Sequence, residues 1–247
     1  MERPVRRWDF RPHQLARGNG GISTMAVAAR GKSDSTYCRL KELVLNYRFR
    51  PGEPLSAVSI ADRLQVSATP VREALARLHG EDLVELLPNR GFFAKTLNAN
   101  SMKNHYEFAF QIVNYAIQQG RVQFLAQDNI EGPTGVGSRG KTGRWQELDS
   151  SMIEHLYIRI VGLSGNRVMV DAIRKFNDQT RLLRLIDLEN ERNYHEITAD
   201  MSALISALQR QDVAGAIANL RCQRDKKLAR MNELVHEGIA RSLISLS

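Results

Sequence analysis

Between residues 35 and 98 apolar positions first recur at helical spacing and then gather into two short runs around a tight turn. Tyr37, Leu40, Leu43, Val44 and Tyr47 form one helical stripe, which Pro51-Gly52 breaks. Ile60, Ala61 and Leu64 mark a short second helix, and Val66-Ser67 a tight turn. Ser67 is a good N-cap for a third helix, with Pro70 in the first turn, where a missing N–H is tolerated. Val71, Ala74, Leu75 and Leu78 then face inward, and Gly80 supplies a left-handed stop. Leu83 to Leu87 and Phe92 to Thr96, parted by Pro88-Asn89-Arg90-Gly91, read as a β-hairpin. Three helices closed by a hairpin predict a winged helix-turn-helix.

From residue 99 onward the pattern is helical throughout. Met102, Tyr106, Ala109, Val113 and Ala116 form one stripe; Leu148, Met152, Leu156 and Ile160 form another, ended by Ser164-Gly165-Asn166. Further helices are expected over Val168 to Leu188, Tyr194 to Leu208 and Val213 to about Ile239. No segment here alternates at period two for long enough to be a strand, so this half is expected to be an all-α bundle. The expected fold class is therefore mostly α. Its expected parts are a basic arm (1–34), a winged helix-turn-helix (35–98) and an all-α effector-binding and dimerisation domain (99–243).

Composition narrows the function. With 247 residues and 43% hydrophobic positions, a packed core is feasible and wholesale disorder is excluded. Cys38 and Cys222 stand far apart, which argues against a disulfide scaffold or a cysteine-rich zinc module. No apolar run approaches the roughly 18 residues of a membrane span. The net charge of +8 points to an anionic partner, nucleic acid first. Half of that excess falls within residues 1–34, where Arg3, Arg6, Arg7, Arg11, Arg17, Arg30 and Lys32 face only Glu2, Asp9 and Asp34. That stretch shows no apolar period and reads as disordered. It could be a DNA-binding arm, a transit peptide, or the product of a start codon upstream of Met25.

The strings Pro51-Gly52-Glu53-Pro54-Leu55, Ser59 through Leu75 (SIADRLQVSATPVREAL) and Pro88-Asn89-Arg90-Gly91 closely resemble the GntR-type winged helix. Leu163-Ser164-Gly165-Asn166, with Leu204-Ile205 through Ala207 to Asp212, makes the second half resemble the ligand domain of the FadR-like branch. The resemblance implies a bacterial, cytoplasmic transcription regulator, a repressor type, that binds a palindromic double-stranded operator as a homodimer. It also implies that a small metabolite in the helical domain modulates DNA affinity. Ser67, Thr69, Pro70, Arg72, Arg77, Asn89, Arg90 and Gly91 are the DNA-contacting candidates. A helix starting at Ser67 offers N–H groups and a positive dipole end to a phosphate, and Arg72 can grip guanine bidentately. One departure is Ala68, where the family usually has arginine; an alanine methyl can touch thymine but makes no base hydrogen bond.

Many FadR-like domains hold a metal through one aspartate and three histidines. Alignment on Ser164-Gly165-Asn166 and Asp212 places those positions at Ile153, Tyr157, Met201 and Gln223, a set unsuited to zinc, nickel or manganese. No metal and no other cofactor is expected. Glu107-Phe108-Ala109 stands where the branch tends to carry an arginine for a carboxylate effector, leaving Arg159, Arg181 and Arg224 as candidate cations. Tyr157, Arg159, Met201 and Gln223 are the effector-binding candidates.

Gly135 to Thr142 (GVGSRGKT) fits the Walker A pattern, whose mechanism needs a strand before it and a helix after it. Neither is legible, and five glycines in the surrounding stretch favour a chance match in a flexible loop. The chain also lacks a Ser/His/Asp set and an acidic pair in a strand context, so no catalytic residue and no enzyme is expected. Two alternatives stay open: a bundle that serves dimerisation alone, and nucleotide binding at 135–142.

Overall fold

The computed structural model describes residues 24–119 and 149–244, with side chains described from residue 34. Most of the basic arm and the whole Walker-like stretch Gly135–Thr142 lie outside the described residues. Within them the chain forms eight helices and one two-stranded antiparallel sheet. The N-terminal part comprises α1 (Thr24–Leu45), α2 (Ala57–Leu64), α3 (Ala68–Gly80), β1 (Val84–Leu87) and β2 (Gly91–Ala94). The first helix begins eleven residues before the expected unit, so residues 24–34 are helical rather than irregular. Met25, Ala26, Ala28, Ala29, Arg30 and Lys32 are good helix formers and extend α1 backwards.

Packing in this part follows the apolar stripes. Tyr37, Leu40 and Leu45 of α1, Ile60, Ala61 and Leu64 of α2, and Val71, Ala74, Leu75 and Leu78 of α3 bury against Val84 and Ala94. The hairpin pairs Val84 with Ala94 and Leu87 with Gly91. A third edge comes from residues 52–55, where Leu55 N–H donates to Phe92 O at 2.8 Å and Ala94 N–H to Glu53 O at 3.0 Å.

Two expected helix ends differ in detail. Gly80 stays inside α3, and Asp82 takes the left-handed turn instead, at φ 60°. Tyr47 closes α1 in the same way at φ 49°, with Arg48 N–H reaching back to Leu43 O. It therefore leaves the α1 stripe and joins Leu97, Met102, Leu183 and Val235 in the helical half. Gln65 and Gln211 end α2 and a later helix likewise. In each case the 6→1 hydrogen bond satisfies an orphan carbonyl without a glycine.

The helical half comprises α4 (Ala99–Gln118), α5 (Ser150–Gly162), α6 (Arg167–Glu189), α7 (Glu191–Gln209) and α8 (Val213–Ile244). Asn98, Asp149, Asn166 and Asn190 each cap a helix start with a side-chain oxygen, which fixes four of the five beginnings. Ile112, Val113, Ile117, Ile160, Val161, Ile173, Leu204 and Leu208 form the core of the bundle. Asp82 ties the two halves together: its carboxylate meets Lys95 at 2.5 Å, Lys175 at 3.5 Å and Gln179 at 2.9 Å. Lys41–Asp178 at 2.7 Å and Arg181–Glu42 at 2.9 Å join α1 to α6 beside it.

Candidate nucleic-acid interface and buried cavity

α3 buries Val71, Ala74, Leu75 and Leu78 and so presents Thr69, Arg72, Glu73 and Ala76 to solvent. Ser67 has the extended N-cap backbone (φ −78°, ψ 161°), but its hydroxyl makes no capping bond. The sequence sets this up. The N3 residue is Pro70, which has no N–H to give, whereas Ser56 of α2 caps Ser59 N–H in the ordinary way. The Ser67 hydroxyl and the first-turn N–H groups are thus open to an outside acceptor such as a phosphate. Arg72 is exposed, and no hydrogen bond or ion pair holds it to another described residue.

Arg77 is placed differently from expectation. Its guanidinium lies 3.6 Å from the centre of the Tyr37 ring and within 3.5 Å of Asp34 and Glu81. Five residues along a helix turn it about 140° away from Arg72. Arg77 therefore belongs to the α1–α3 contact and is not brought together with Thr69 and Arg72. Burial disfavours both ionised Glu81 and ionised Tyr37 here. Hydrogen bonds from Tyr37 and Lys41 nevertheless hold the Glu81 carboxyl below its usual range, while the Tyr37 hydroxyl is pushed up.

At the hairpin tip Pro88 and Asn89 form the centre of a turn closed by Arg90 N–H to Leu87 O at 3.0 Å. Asn89 has φ 59° and Gly91 φ 88°, the left-handed region that favours these two residue types. Arg90 is exposed, with its guanidinium 5.2 Å from the Phe93 ring.

The helical half forms a partly open cavity of about 100 Å³ between α4, α5, α6, α7 and α8. Three of the expected effector candidates, Tyr157, Met201 and Gln223, line it together with Ile153. Arg159 does not; neither does Arg181, which pairs with Glu42 at the junction of the two halves. Of the expected cations Arg224 alone reaches the wall, stacked 4.4 Å from the Phe110 ring. Tyr157 donates to Gln223 Oε1 at 2.9 Å, and the Gln223 amide donates onward to Asn219 Oδ1 at 2.6 Å. Burial above all, with the neighbouring Tyr106, pushes the Tyr157 hydroxyl well above the usual tyrosine range.

The residues at the positions where the resemblance would place a metal do not fit one. Ile153 has no donor atom, Met201 is a soft thioether, and Tyr157 and Gln223 are hydrogen-bonded to each other. Among the described residues no group of three or more His, Cys, Asp or Glu side chains converges as a metal site. His155 and His195 do not line the cavity; the His155 ring meets Ser151 O at 2.7 Å.

The cavity also has walls that were not expected: Tyr106, Arg184, Asp200, Lys227 and Arg230. Arg184 is fully engaged, reaching Glu154 at 2.6 Å and Asn177 O at 2.8 Å. Lys227 and Arg230 both approach Asp187, which has no exposed surface. A sequence signal for Arg184 and Asp187 existed in α6. Asn177, Thr180, Arg184 and Asp187 fall at helical spacing on the same stripe as Ile173, Phe176 and Leu183. Polar residues on a buried stripe need partners inside the fold.

Fold and surfaces together define a winged helix-turn-helix protein whose DNA-binding unit is fused to an all-helical domain. Residues 32–94 match the family described as "Bacterial regulatory proteins, gntR family". Over 186 residues the chain is 32% identical to the Nta operon transcriptional regulator of Aminobacter aminovorans, covering 71% of this chain and 84% of that one. The chain belongs to the gntR family of transcriptional regulators, which are not enzymes. Solved structures share the fold at low identity. A putative GntR regulator from Rhodococcus sp. RHA1 superposes with a TM-score of 0.59 at 19% identity, over 82% of this chain and 98% of that one. E. coli McbR/YncC gives 0.55 at 18% identity, over 81% and 97%. No described helix is long and apolar enough to cross a membrane.

Proposed function

We propose that the protein is a cytoplasmic regulator of the FadR-like branch that binds a palindromic operator as a homodimer and answers to a small metabolite in its helical domain. Residues 35–98 are the DNA-binding domain and residues 99–243 the effector-binding and dimerisation domain. The observation that carries this reading is the α3 start. Ser67 is left uncapped by Pro70, and Thr69 and Arg72 stand exposed beside it, with Asn89, Arg90 and Gly91 at the hairpin tip. The first helical turn takes a phosphate, Arg72 reads a base edge, and the hairpin tip follows the backbone or a groove edge. The cavity supports the effector half of the reading, because α6 lines it with Ile173 and Phe176 and meets the winged helix with Lys175, Asp178, Gln179 and Arg181.

Selection of bound sequences from a random duplex library tests the proposal. The expected product is an inverted repeat holding two chains per duplex in sedimentation equilibrium. Enrichment of unrelated sequences with one chain per duplex would contradict it.

A further inference from the structure

Apolar contact between the two halves gathers at the linker. β2 ends at Ala94 and α4 begins at Ala99, so residues 95–98 join them. Lys95 is held by Asp82 at 2.5 Å, and Asn98 caps α4 by accepting from Ser101 N–H at 3.0 Å. Between them Leu97 is 6% exposed and sits in the bundle among Met102, Leu183, Ile186, Met231, Leu234 and Val235. Tyr47, just past the end of α1, packs onto the same cluster. It does so from a left-handed backbone (φ 49°), a conformation that disfavours a bulky side chain. The seat for Leu97 depends on Gly238 of α8, which is buried. A Cβ at that position would lie 2.9 Å from Leu97 Cδ1 and 3.4 Å from Leu182 Cδ2, the first closer than carbon atoms pack. Glycine weakens a helix interior, and α8 carries one at the point where Leu97 enters.

The polar contacts across the joint do less to hold one angle. The ion pairs of Asp82 with Lys175, Asp178 with Lys41 and Glu42 with Arg181 are all partly exposed, a class of contact worth little. Beside them a cavity of about 210 Å³ opens between Leu45, Phe49 and Leu83 of the winged helix and Met102, His105 and Gln179 of the bundle.

Resting on the reading of a homodimer on an inverted repeat, we infer that Leu97, seated against Gly238 in the cluster that Tyr47 joins, is a positioning residue that fixes the angle of the winged helix on the bundle. That angle sets the distance between the two α3 helices of a dimer held together through its bundles, and so the half-site spacing that the dimer reads. Leu97 acts through the joint and not on a base.

Fluorescence anisotropy of the full-length protein tests this on three duplexes: the selected inverted repeat, the same repeat with two base pairs inserted at its centre, and a single half-site. Two base pairs turn one half-site about 70° around the duplex relative to the other. The variants are Leu97→Ala, Gly238→Ala, and Gly238→Ala combined with Leu97→Val, which withdraws the Cδ1 atom that the new methyl meets. Wild type is expected to lose affinity on the widened repeat. In Leu97→Ala that spacing penalty should fall by about tenfold, because a buried leucine contact made only in the docked arrangement is worth at least that much. Gly238→Ala should lower the penalty in the same direction, and the double variant should restore it. Affinity for the single half-site should stay as in wild type for all three, which a general loss of fold would not allow. A spacing penalty unchanged in both Leu97→Ala and Gly238→Ala, or half-site affinity that falls in step with it in both, would overturn the inference while leaving the dimer standing. A wild type indifferent to spacing, binding the repeat no better than the single half-site, would overturn the inference together with the dimer reading.

Discussion

In the winged helix, Arg72 and Arg90 stand in solvent on a scaffold whose buried interior, from Leu40 to Leu78, holds no charged side chain and, among the described residues, only Thr36 as a buried polar one. In the bundle, Arg184, Lys227 and Arg230 point inward and are held by Glu154, Asp187 and Glu196. The difference separates two ways of using a charge. An arginine that contacts DNA must be free to leave water for a groove edge or phosphate, so the fold gives it no carboxylate partner. A cavity-lining cation is desolvated already, and without a carboxylate behind it the folded state would be strongly disfavoured. Arg77 sharpens the contrast, because it lies on the DNA-binding helix and stays half exposed, yet it is committed to Tyr37, Asp34 and Glu81.

The harshest test of the contrast is Asp187→Ala. It leaves Lys227 buried without a carboxylate and Arg230 with Glu196 alone, and a loss of about 3–5 kcal/mol in urea unfolding is expected. A loss under about 1 kcal/mol, the range of surface pairs, would show that the inward charges are no more structural than exposed ones. Leu75→Ala, at a position 1% exposed in the apolar core, should cost about 2–5 kcal/mol by cavity formation. Its loss should not vary with salt if that interior holds no charge.

The junction between the regions is the next smaller effect. Burial opposes ionisation of Asp82, yet the hydrogen bond from Lys95 and the charges of Lys95 and Lys175 outweigh it and hold the carboxyl below its ordinary 3.8. A group whose folded value is depressed stabilises the fold above its unfolded value and ceases to do so as pH falls through the folded one. Wild type should therefore exceed Asp82→Asn in stability by at most about 1 kcal/mol at neutral pH, since the side chain is half exposed. The two curves should converge as pH falls below the ordinary 3.8 and through the depressed folded value; a gap that widens in acid would mean that the ion pairs do not join the halves. The smallest effect is Gln211→Gly, which relieves a left-handed residue at φ 56° and should stabilise by about 0.5 kcal/mol in thermal melts, net of added freedom in the unfolded chain.

The two regions were also unequally legible. Apolar spacing and punctuation placed all three helices and the hairpin of the winged helix, and the string around Ser67 to Leu75 carried its family. Backbone details escaped, because Gly80 was the obvious helix stop while Asp82, two residues on, was drawn into the left-handed turn where it meets Lys95 and Gln179. In the bundle, the helices were readable and so was the joint placement of Ile153, Tyr157, Met201 and Gln223. Arg159 was not, because a helical position adjoining the stripe does not say whether its side chain points in or out. Tyr106, Lys227 and Arg230 were missed because a cavity wall is assembled from residues over a hundred positions apart.

The most direct test of the account compares Arg72→Ala with Arg77→Ala in fluorescence anisotropy, using the selected operator and a scrambled duplex. Arg72→Ala should weaken operator binding by about 1–3 kcal/mol and scrambled binding much less, relaxing sequence preference without changing the melting temperature. Arg77→Ala should lower the melting temperature and leave the ratio of the two affinities as it was. Equal losses on both duplexes for Arg72→Ala, or a loss of specificity for Arg77→Ala matching that for Arg72→Ala, would contradict the division between free and committed charges.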